Sequence, residues 1–138
     1  MFSRYCVDIL IPQRSQRGEP HITKEVWDRI IEYIHENASG NISLADMAKI
    51  AELTPHHFAS LFTKTTGLSP HQYVLRVRIE RAKIHLNDNA LSIAEVSRLI
   101  GFRRQEHFTK VFRRVVGVTP SKFRQELAHG VGGRNPLA

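Results

Sequence analysis

Residues 43–73, SLADMAKIAELTPHHFASLFTKTTGLSPHQY, and residues 92–123, SIAEVSRLIGFRRQEHFTKVFRRVVGVTPSKF, are two copies of one pattern. Each copy opens on Ser-x-x-acid, passes a turn, continues with Phe-x-x-x-Phe and closes on Gly-[Leu/Val]-[Ser/Thr]-Pro. The opening serines are 49 residues apart, whereas the closing glycines are 50 apart. The second copy therefore holds one extra residue between its turn and its aromatic pair.

Local signals divide each copy into three helices. The openings, Ser43 to Asp46 and Ser92 to Glu95, are capping boxes, in which the hydroxyl accepts from a helical N–H and the acid reaches back. The closing glycines suit the left-handed residue just past a helix, and the Ser-Pro or Thr-Pro that follows suits the start of another. Each copy is predicted to fold as helix, turn, helix, stop and helix.

Helical spacing also fills the chain outside the copies. A first amphipathic helix is expected over residues 22–37, and a long helix over residues 69–87 joins the copies. At ~1.5 Å per residue the joining helix is about 28 Å long, close to the ~34 Å between successive major-groove openings of DNA. Its apolar positions are Tyr73, Val74, Val77, Ile84 and Leu86. Strand patterns are nearly absent, so the expected fold is all-α, with two helix-turn-helix subdomains and a long central helix.

The aromatic pairs predict which face of each second helix is buried. The residues assigned to the core, rather than to stacking on single-stranded nucleic acid, are Phe58, Phe62, Tyr73, Phe108, Phe112 and Phe123. The opposite, outward face then carries His56, Ala59, Ser60 and Thr63 in the first copy, and Gln105, Glu106, Thr109, Lys110 and Arg113 in the second.

Positive charge is concentrated near the C-terminus. The chain has a formal net charge of +7; residues 91–138 hold nine Lys and Arg against three acids, whereas residues 1–90 hold eleven against ten. A basic surface suits a phosphate backbone. On charge alone, a solvated surface explains the excess equally well.

Composition excludes several classes of protein. No apolar run approaches the ~20 residues of a membrane span, and residues 7–11 are too short for a secretory signal. The single cysteine, Cys6, gives neither an internal disulfide nor a cysteine metal cage, which favours a reducing cytoplasm. The histidines include no His-x-x-x-His pair with an acid between them. We therefore expect a cytoplasmic, nucleoid-associated protein that is not an enzyme and has no metal or cofactor.

The repeated helix pair points to DNA. A helix-turn-helix protein inserts the outward face of its second helix into the major groove, N-terminal end first. Gln105 can then bond adenine, Lys110 guanine and Glu106 cytosine. Arg103 and Arg104 flank the helix start and can reach guanine or the phosphates. Taken singly, such residues more often form a solvated face, but two copies joined at groove spacing favour double-stranded DNA as the partner.

Four segments resemble those of a known family. They are RIERAK at 78–83, SIAEV at 92–96, the pairs GF at 101–102 and HF at 107–108, and VFRRVVGVTP at 111–120. With them, the stretch from about Ile42 to Gln125 resembles the DNA-binding domain of AraC/XylS-type transcription regulators. The resemblance implies a bacterial regulator with a seven-helix, two-lobed domain that binds two successive major grooves. It also implies transcription activation by contact with the σ or α subunit of RNA polymerase.

The family's functional places transfer to this chain by position. The base-reading places fall on His56, Ala59 and Ser60 in the first copy, and on Gln105, Glu106 and Lys110 in the second. The phosphate-touching places fall on Ser43, Thr63, Ser92 and Arg113, and Lys64 is counted with them. Arg78 matches a linker-helix arginine that is expected to be structural.

This chain also departs from the family pattern. Glu52 stands where the family has glycine in the turn, and a left-handed non-glycine residue costs roughly 1 kcal/mol. Ala59 and Ser60 are small where long polar side chains often sit, so specificity is expected to rest on the second lobe. Arg103 is expected at the N-cap of the second recognition helix, in the place of a serine whose loss costs ~1 kcal/mol.

The chain is divided into a leader (1–21), the DNA-binding domain (22–127) and a disordered tail (128–138). The leader is interpreted as the remnant of a sensor or dimerisation domain, or simply as a disordered segment. No small-molecule effector site is expected in this chain.

Two other functions are weighed against DNA binding. A repair enzyme using Cys6 as a methyl acceptor would need basic partners and a fold around the thiol, and residues 1–20 are too few to build one. A helical protein-interaction module that has lost DNA binding finds its only support in the small residues Ala59 and Ser60.

Overall fold

The computed structural model describes residues 22–130. Over that range the chain forms seven α-helices and no strand, which confirms the all-α prediction. The helices are α1 (Lys24–Asn37), α2 (Leu44–Ala51), α3 (Pro55–Thr66), α4 (Pro70–His85), α5 (Ile93–Leu99), α6 (Gln105–Val116) and α7 (Pro120–Ala128). The expectations for the leader, for Cys6 and for most of the tail fall outside the described residues.

The chain divides into two compact units, and the division falls within α4, between Val77 and Arg78. In the first unit Phe62 is fully buried at the centre of an aromatic cluster. Its ring centroid lies 5.4 Å from that of Trp27, 5.6 Å from that of Phe58 and 5.7 Å from that of Tyr73. Such contacts contribute about 0.5–1.5 kcal/mol each beyond the burial of apolar area. One side chain thus ties together α1, α3 and the start of α4.

The second unit is built around the matching pair on α6. Phe108 packs on Phe102, with ring centroids 5.4 Å apart, and on Phe112 at 5.7 Å. Phe112 in turn packs edge-on against Phe123 of α7 at 5.5 Å. Phe123, expected in the core, is only half-buried and packs at the edge of the cluster, on the last helix. The aromatic pairs themselves are fully buried, as predicted.

Helix α4 differs from its prediction at Ile84. Helical spacing counts this residue among the apolar positions of the helix, yet it is 72% exposed. Ile84 is two residues before the buried Leu86, which turns it about 200° away around the helix. The buried stripe in this half of α4 runs instead through Ile79 and Ala82.

The two predicted capping boxes form to different extents. At Ser92 the box is complete: the Glu95 N–H donates to the Ser92 hydroxyl at 3.0 Å, and the Ser92 N–H donates to the Glu95 carboxylate at 2.8 Å. At Ser43 the hydroxyl accepts from the Asp46 N–H at 3.0 Å. The shorter Asp46 side chain instead accepts from the hydroxyl of Tyr33 on α1, at 3.2 Å. The reciprocal half of the first box is replaced by a contact between helices.

A further capping box, missed by the sequence analysis, starts α4. The Gln72 N–H donates to the Ser69 hydroxyl at 3.1 Å, and the Ser69 N–H donates to the Gln72 side chain at 3.0 Å. The preceding helix α3 is followed by the C-cap residue Gly67, and α6 by Gly117, with φ of 84° and 102°. The left-handed conformation predicted for these two glycines is therefore confirmed.

The turn of the first unit carries a strained residue. Glu52 has φ 59° and ψ 41° and is the only non-glycine residue with positive φ among the described residues, whereas its counterpart Gly101 has φ 103°. The hydrogen bonds are otherwise the same, since the Leu53 N–H donates to the Ala48 carbonyl and the Phe102 N–H to the Ser97 carbonyl. The expected left-handed Glu52 is confirmed.

We predict that Glu52→Gly raises the free energy of unfolding by about 1 kcal/mol or somewhat less. The gain is reduced because glycine also increases the conformational entropy of the unfolded chain. The substitution removes the left-handed strain and also a negative charge at the C-terminal end of α2, where the helix dipole disfavours it. The urea-unfolding midpoint measures the change.

Glu52→Gln is the matched control, because it removes the charge and keeps the Cβ atom. It is expected to gain only a few tenths of a kcal/mol. If the glycine variant is no more stable than the glutamine variant, the left-handed conformation imposes no net cost on this turn.

Candidate nucleic-acid interface

Helix α3 exposes one polar face opposite its buried phenylalanines. The Thr54 hydroxyl accepts from the His57 N–H at 3.2 Å, and Pro55 has no N–H that needs a partner, so two positions of the first turn are accounted for. Burial of Phe58 and Phe62 fixes the rotation of the helix about its axis. The predicted DNA-facing residues are placed accordingly: His56, Ser60, Thr63 and Lys64 are exposed, and Ala59 is half-buried.

Helix α6 repeats the arrangement with different side chains. Phe108, Val111 and Phe112 are buried. The predicted residues Glu106, Lys110 and Arg113 are exposed on the other side, four and three residues apart, so they form one stripe. The predicted Gln105 is the first residue of the helix and is exposed at its start. We call this stripe, with its equivalent on α3, the outward face of each helix.

The 50-residue offset reveals two outward residues that the predicted site left out. Thr109 lies at the place of Ala59 and is half-buried on the outward face; Arg114 lies at the place of Lys64 and is exposed. The sequence pattern already places Thr109 on the outward face without assigning it a contact, and the same offset read from the sequence would also have found Arg114.

The start of α6 corrects the expected N-cap. The N-cap residue is Arg104, not Arg103, and its side chain makes no capping hydrogen bond. The turn hydrogen bonds of the two units correspond at an offset of 49 residues as far as Phe102. The recognition helices correspond at an offset of 50 residues from Gln105 onward. The extra residue therefore lies between these two positions and moves the cap one place along the chain. Thr54 corresponds to Arg104 rather than to Arg103.

The side chains at this helix start surround a shallow, open depression. Its lining is formed by Arg104, Gln105, Glu106 and Thr109. Arg103 lies exposed in the preceding turn, while Phe102 beside it is buried. Two arginines thus stand at the N-terminal end of the outward face of α6.

The N-cap serines Ser43 and Ser92 are exposed at the starts of α2 and α5. Each hydroxyl oxygen accepts a backbone N–H, as described above. A hydroxyl also has one proton to donate, and a phosphate oxygen is a suitable acceptor. The capping role and the predicted phosphate contact are therefore compatible.

Charge differs strongly between the two units. Among the described residues, the first unit holds five Lys and Arg against six Asp and Glu, and the second holds eleven against five. Within residues 22–130, no ion pair engages the five basic residues of the turn and α6. These residues are Arg103, Arg104, Lys110, Arg113 and Arg114.

Two other arginines of the second unit have structural contacts. The Arg78 guanidinium lies 5.4 Å from the centre of the Phe102 ring, and its partial burial lowers the pKa of Arg78 below the usual value. Arg124 donates to the carbonyl oxygens of Leu86 and Asp88, at 3.0 and 3.1 Å. The expectation that Arg78 is structural agrees with its place against a buried ring.

Two features typical of other protein classes are absent from the described residues. Between residues 22 and 130, no three His, Cys, Asp or Glu side chains come together as metal ligands would. In the same part of the chain, no helix has the length and apolar character needed to cross a membrane.

A family model described as a helix-turn-helix domain matches residues 47–126. The Msm operon regulatory protein of Streptococcus mutans is 35% identical over 105 residues, which cover 76% of this chain and 38% of the relative. The bifunctional transcriptional activator/DNA repair enzyme AdaA of Bacillus subtilis is 31% identical over 98 residues, covering 71% and 46%. This chain thus spans less than half the length of these relatives.

Solved structures share the fold. An AraC-type transcriptional regulator from Chromobacterium violaceum aligns with a TM-score of 0.68 at 23% identity, covering 75% of this chain and 92% of the other. The DNA-binding domain of AdpA, solved in complex with a target DNA, aligns with a TM-score of 0.66 at 24% identity, covering 78% and 94%. At this level of identity the likeness concerns the fold.

We predict that Arg104→Thr raises the free energy of unfolding by about 1 kcal/mol. The threonine would give α6 the cap that Thr54 gives α3, by accepting a backbone N–H in the first turn. Chemical denaturation followed by circular dichroism measures the change.

Arg104→Ala serves as the control, because it removes the positive charge from the helix start without adding a cap. Its gain is expected to stay within a few tenths of a kcal/mol. Equal gains from both variants would mean that the charge, and not the missing cap, limits the stability of α6.

Proposed function

Because this chain belongs to the AraC/XylS-type helix-turn-helix family, we propose that it binds specific double-stranded DNA sequences and regulates transcription. The observation that carries the proposal is the repeated outward face. Two helices, α3 and α6, each expose a polar stripe opposite a buried phenylalanine pair, and each follows a tight turn from a shorter helix. A helix presented in this way fits the major groove of B-DNA.

Base recognition is assigned to the outward faces. On α6, Gln105 bonds an adenine edge, Lys110 donates to guanine and Glu106 accepts from cytosine. Thr109, between them, adds a methyl group that can contact a thymine methyl. On α3 the corresponding residues are His56, Ala59 and Ser60. Arg103 and Arg104 are assigned to guanine or to the phosphates beside α6.

Phosphate contacts position the protein on the duplex. We assign them to Thr63 and Lys64 on α3, to Arg113 on α6, and to the N-cap hydroxyls of Ser43 and Ser92. All five residues are exposed. The AdpA domain, which has this fold, was solved in complex with a target DNA, and this supports the same kind of partner here.

We further propose that α3 and α6 enter successive major grooves on one side of the DNA. The support is the family resemblance together with the repetition of one helix pair along the chain. Hydroxyl-radical footprinting on a duplex that the chain has selected from a random pool is expected to give two protected patches about 10 bp apart on one face of the DNA. A single patch of half that extent would show that one helix pair binds alone.

Activation is proposed as the regulatory outcome, through contact with the σ or α subunit of RNA polymerase. The AdaA relative is named a transcriptional activator, which supports this direction. Transcription in vitro from a promoter carrying the selected site measures the effect. An increase in transcript with the native chain supports activation, and a decrease would assign repression.

We predict that Arg113→Ala weakens DNA binding and makes the slope of log K against log salt shallower by ~0.9, as loss of one phosphate contact requires. Fluorescence anisotropy with a duplex selected from a random pool, at several salt concentrations, measures both quantities. Arg29→Ala on α1 is the control, because Arg29 is an exposed arginine that belongs to neither recognition helix and to none of the proposed contacts. The control is expected to bind as the native chain does.

The same titration separates DNA binding from the rival function. If the native chain shows no salt-dependent binding to any duplex, the proposal fails. A helical protein-interaction module would then be the better description of this fold.

A further inference from the structure

The two outward faces differ at almost every corresponding position. With the 50-residue offset, Glu106 stands at the place of His56, Thr109 at that of Ala59, and Lys110 at that of Ser60. Arg113 likewise replaces Thr63. Bidentate contact with a base edge requires a side chain that offers at least two hydrogen-bonding groups, such as Gln, Asn, Arg or Lys. Helix α6 has Gln105 at its start and Lys110 on its outward face for this purpose, whereas α3 has no such residue among its base-reading positions.

The starts of the two helices extend this difference. In the first unit Thr54 is engaged in capping α3, and Pro55 follows it, so neither offers a long donor at the groove end of the helix. In the second unit the same places are taken by exposed Arg104 and Gln105, and the extra turn residue adds a second arginine. The end of the helix that enters the groove first is therefore rich in donors only in α6.

Ionic attraction follows the same division. The described part of the first unit holds one more acid than base, and that of the second holds six more bases than acids. On the outward face and preceding turn, the first unit offers only Lys64 as a fixed positive charge, and its turn carries the acidic Glu52. Each phosphate neutralised contributes separately to the salt dependence of binding.

We propose that the two units recognise DNA unequally. This inference rests on the proposed DNA-binding function and specifies how it is divided. The second unit, through Gln105, Lys110 and the arginines around α6, reads the sequence and supplies most of the ionic affinity. The first unit docks on the backbone with little discrimination between bases. The target site consists of one well-defined half, bound by the second unit, and one degenerate half.

Selection of duplexes from a random pool tests the division directly. The native chain is expected to enrich a motif whose information lies in one block of about 4–6 bp, with a weakly defined block one helical turn away. A matched pair of double variants assigns the blocks to the units: His56→Ala with Ser60→Ala on α3, and Gln105→Ala with Lys110→Ala on α6. All four residues are exposed, and circular dichroism checks that both variants keep the native helix content.

The α6 variant is expected to lose the defined block and to bind the selected site at least about tenfold more weakly, whereas the α3 variant keeps the motif and binds within about threefold of the native chain. A gain-of-function variant provides an independent measurement. Ala59→Thr with Ser60→Lys gives α3 the residues of α6 at these positions, and is expected to sharpen the degenerate block.

The outcomes separate this inference from the function on which it rests. Two equally defined blocks, or a defined block that disappears only in the α3 variant, would overturn the unequal division and leave DNA binding standing. Absence of any enriched, salt-sensitive duplex would overturn the proposed function itself.

Discussion

The buried phenylalanine pair behind each recognition helix is the constraint on which the other features depend. Two rings spaced four residues apart lie on one side of a helix, and their burial sets its rotation about the axis. In the first unit, Phe62 is held between Trp27 and Tyr73, so the position of α3 is fixed from two other helices. The polar stripes of α3 and α6 that are proposed to face DNA are outward because these rings are inward. The chemistry of the site is thus decided by its packing.

Much of this arrangement could be predicted from the sequence, because short-range rules govern it. The stop at Gly67, the cap at Ser92 and the inward rings of Phe58 and Phe62 follow from spacings of at most four residues. Apolar composition alone is a poorer guide, since Ile84 faces solvent and Phe123 is only partly covered. The exposed fraction of these two side chains depends on how the neighbouring helices pack, and helical periodicity does not determine it.

Other features lie beyond the sequence for the same reason. The bond from Tyr33 to Asp46 joins residues 13 apart, and nothing in the local pattern indicates it. The family resemblance places the N-cap of α6 one residue early, at Arg103, and the landmarks on either side of the turn show that a residue is inserted but not where. The assignment of outward residues to bases stays a prediction. The fold determines which side chains are exposed on each helix, whereas the base that each one contacts depends on the DNA sequence.

The position of the inserted residue explains why it is tolerated. One residue added inside a helix would rotate all that follows by about 100° and carry either the rings or the polar stripe to the wrong side. Added between Phe102 and Gln105, it changes neither register. The turn is therefore a place where this architecture can gain a side chain by lengthening, with no change in the residues of the hydrophobic interior. Two units with the same kind of interior can therefore differ at such a joint while both helices keep their register.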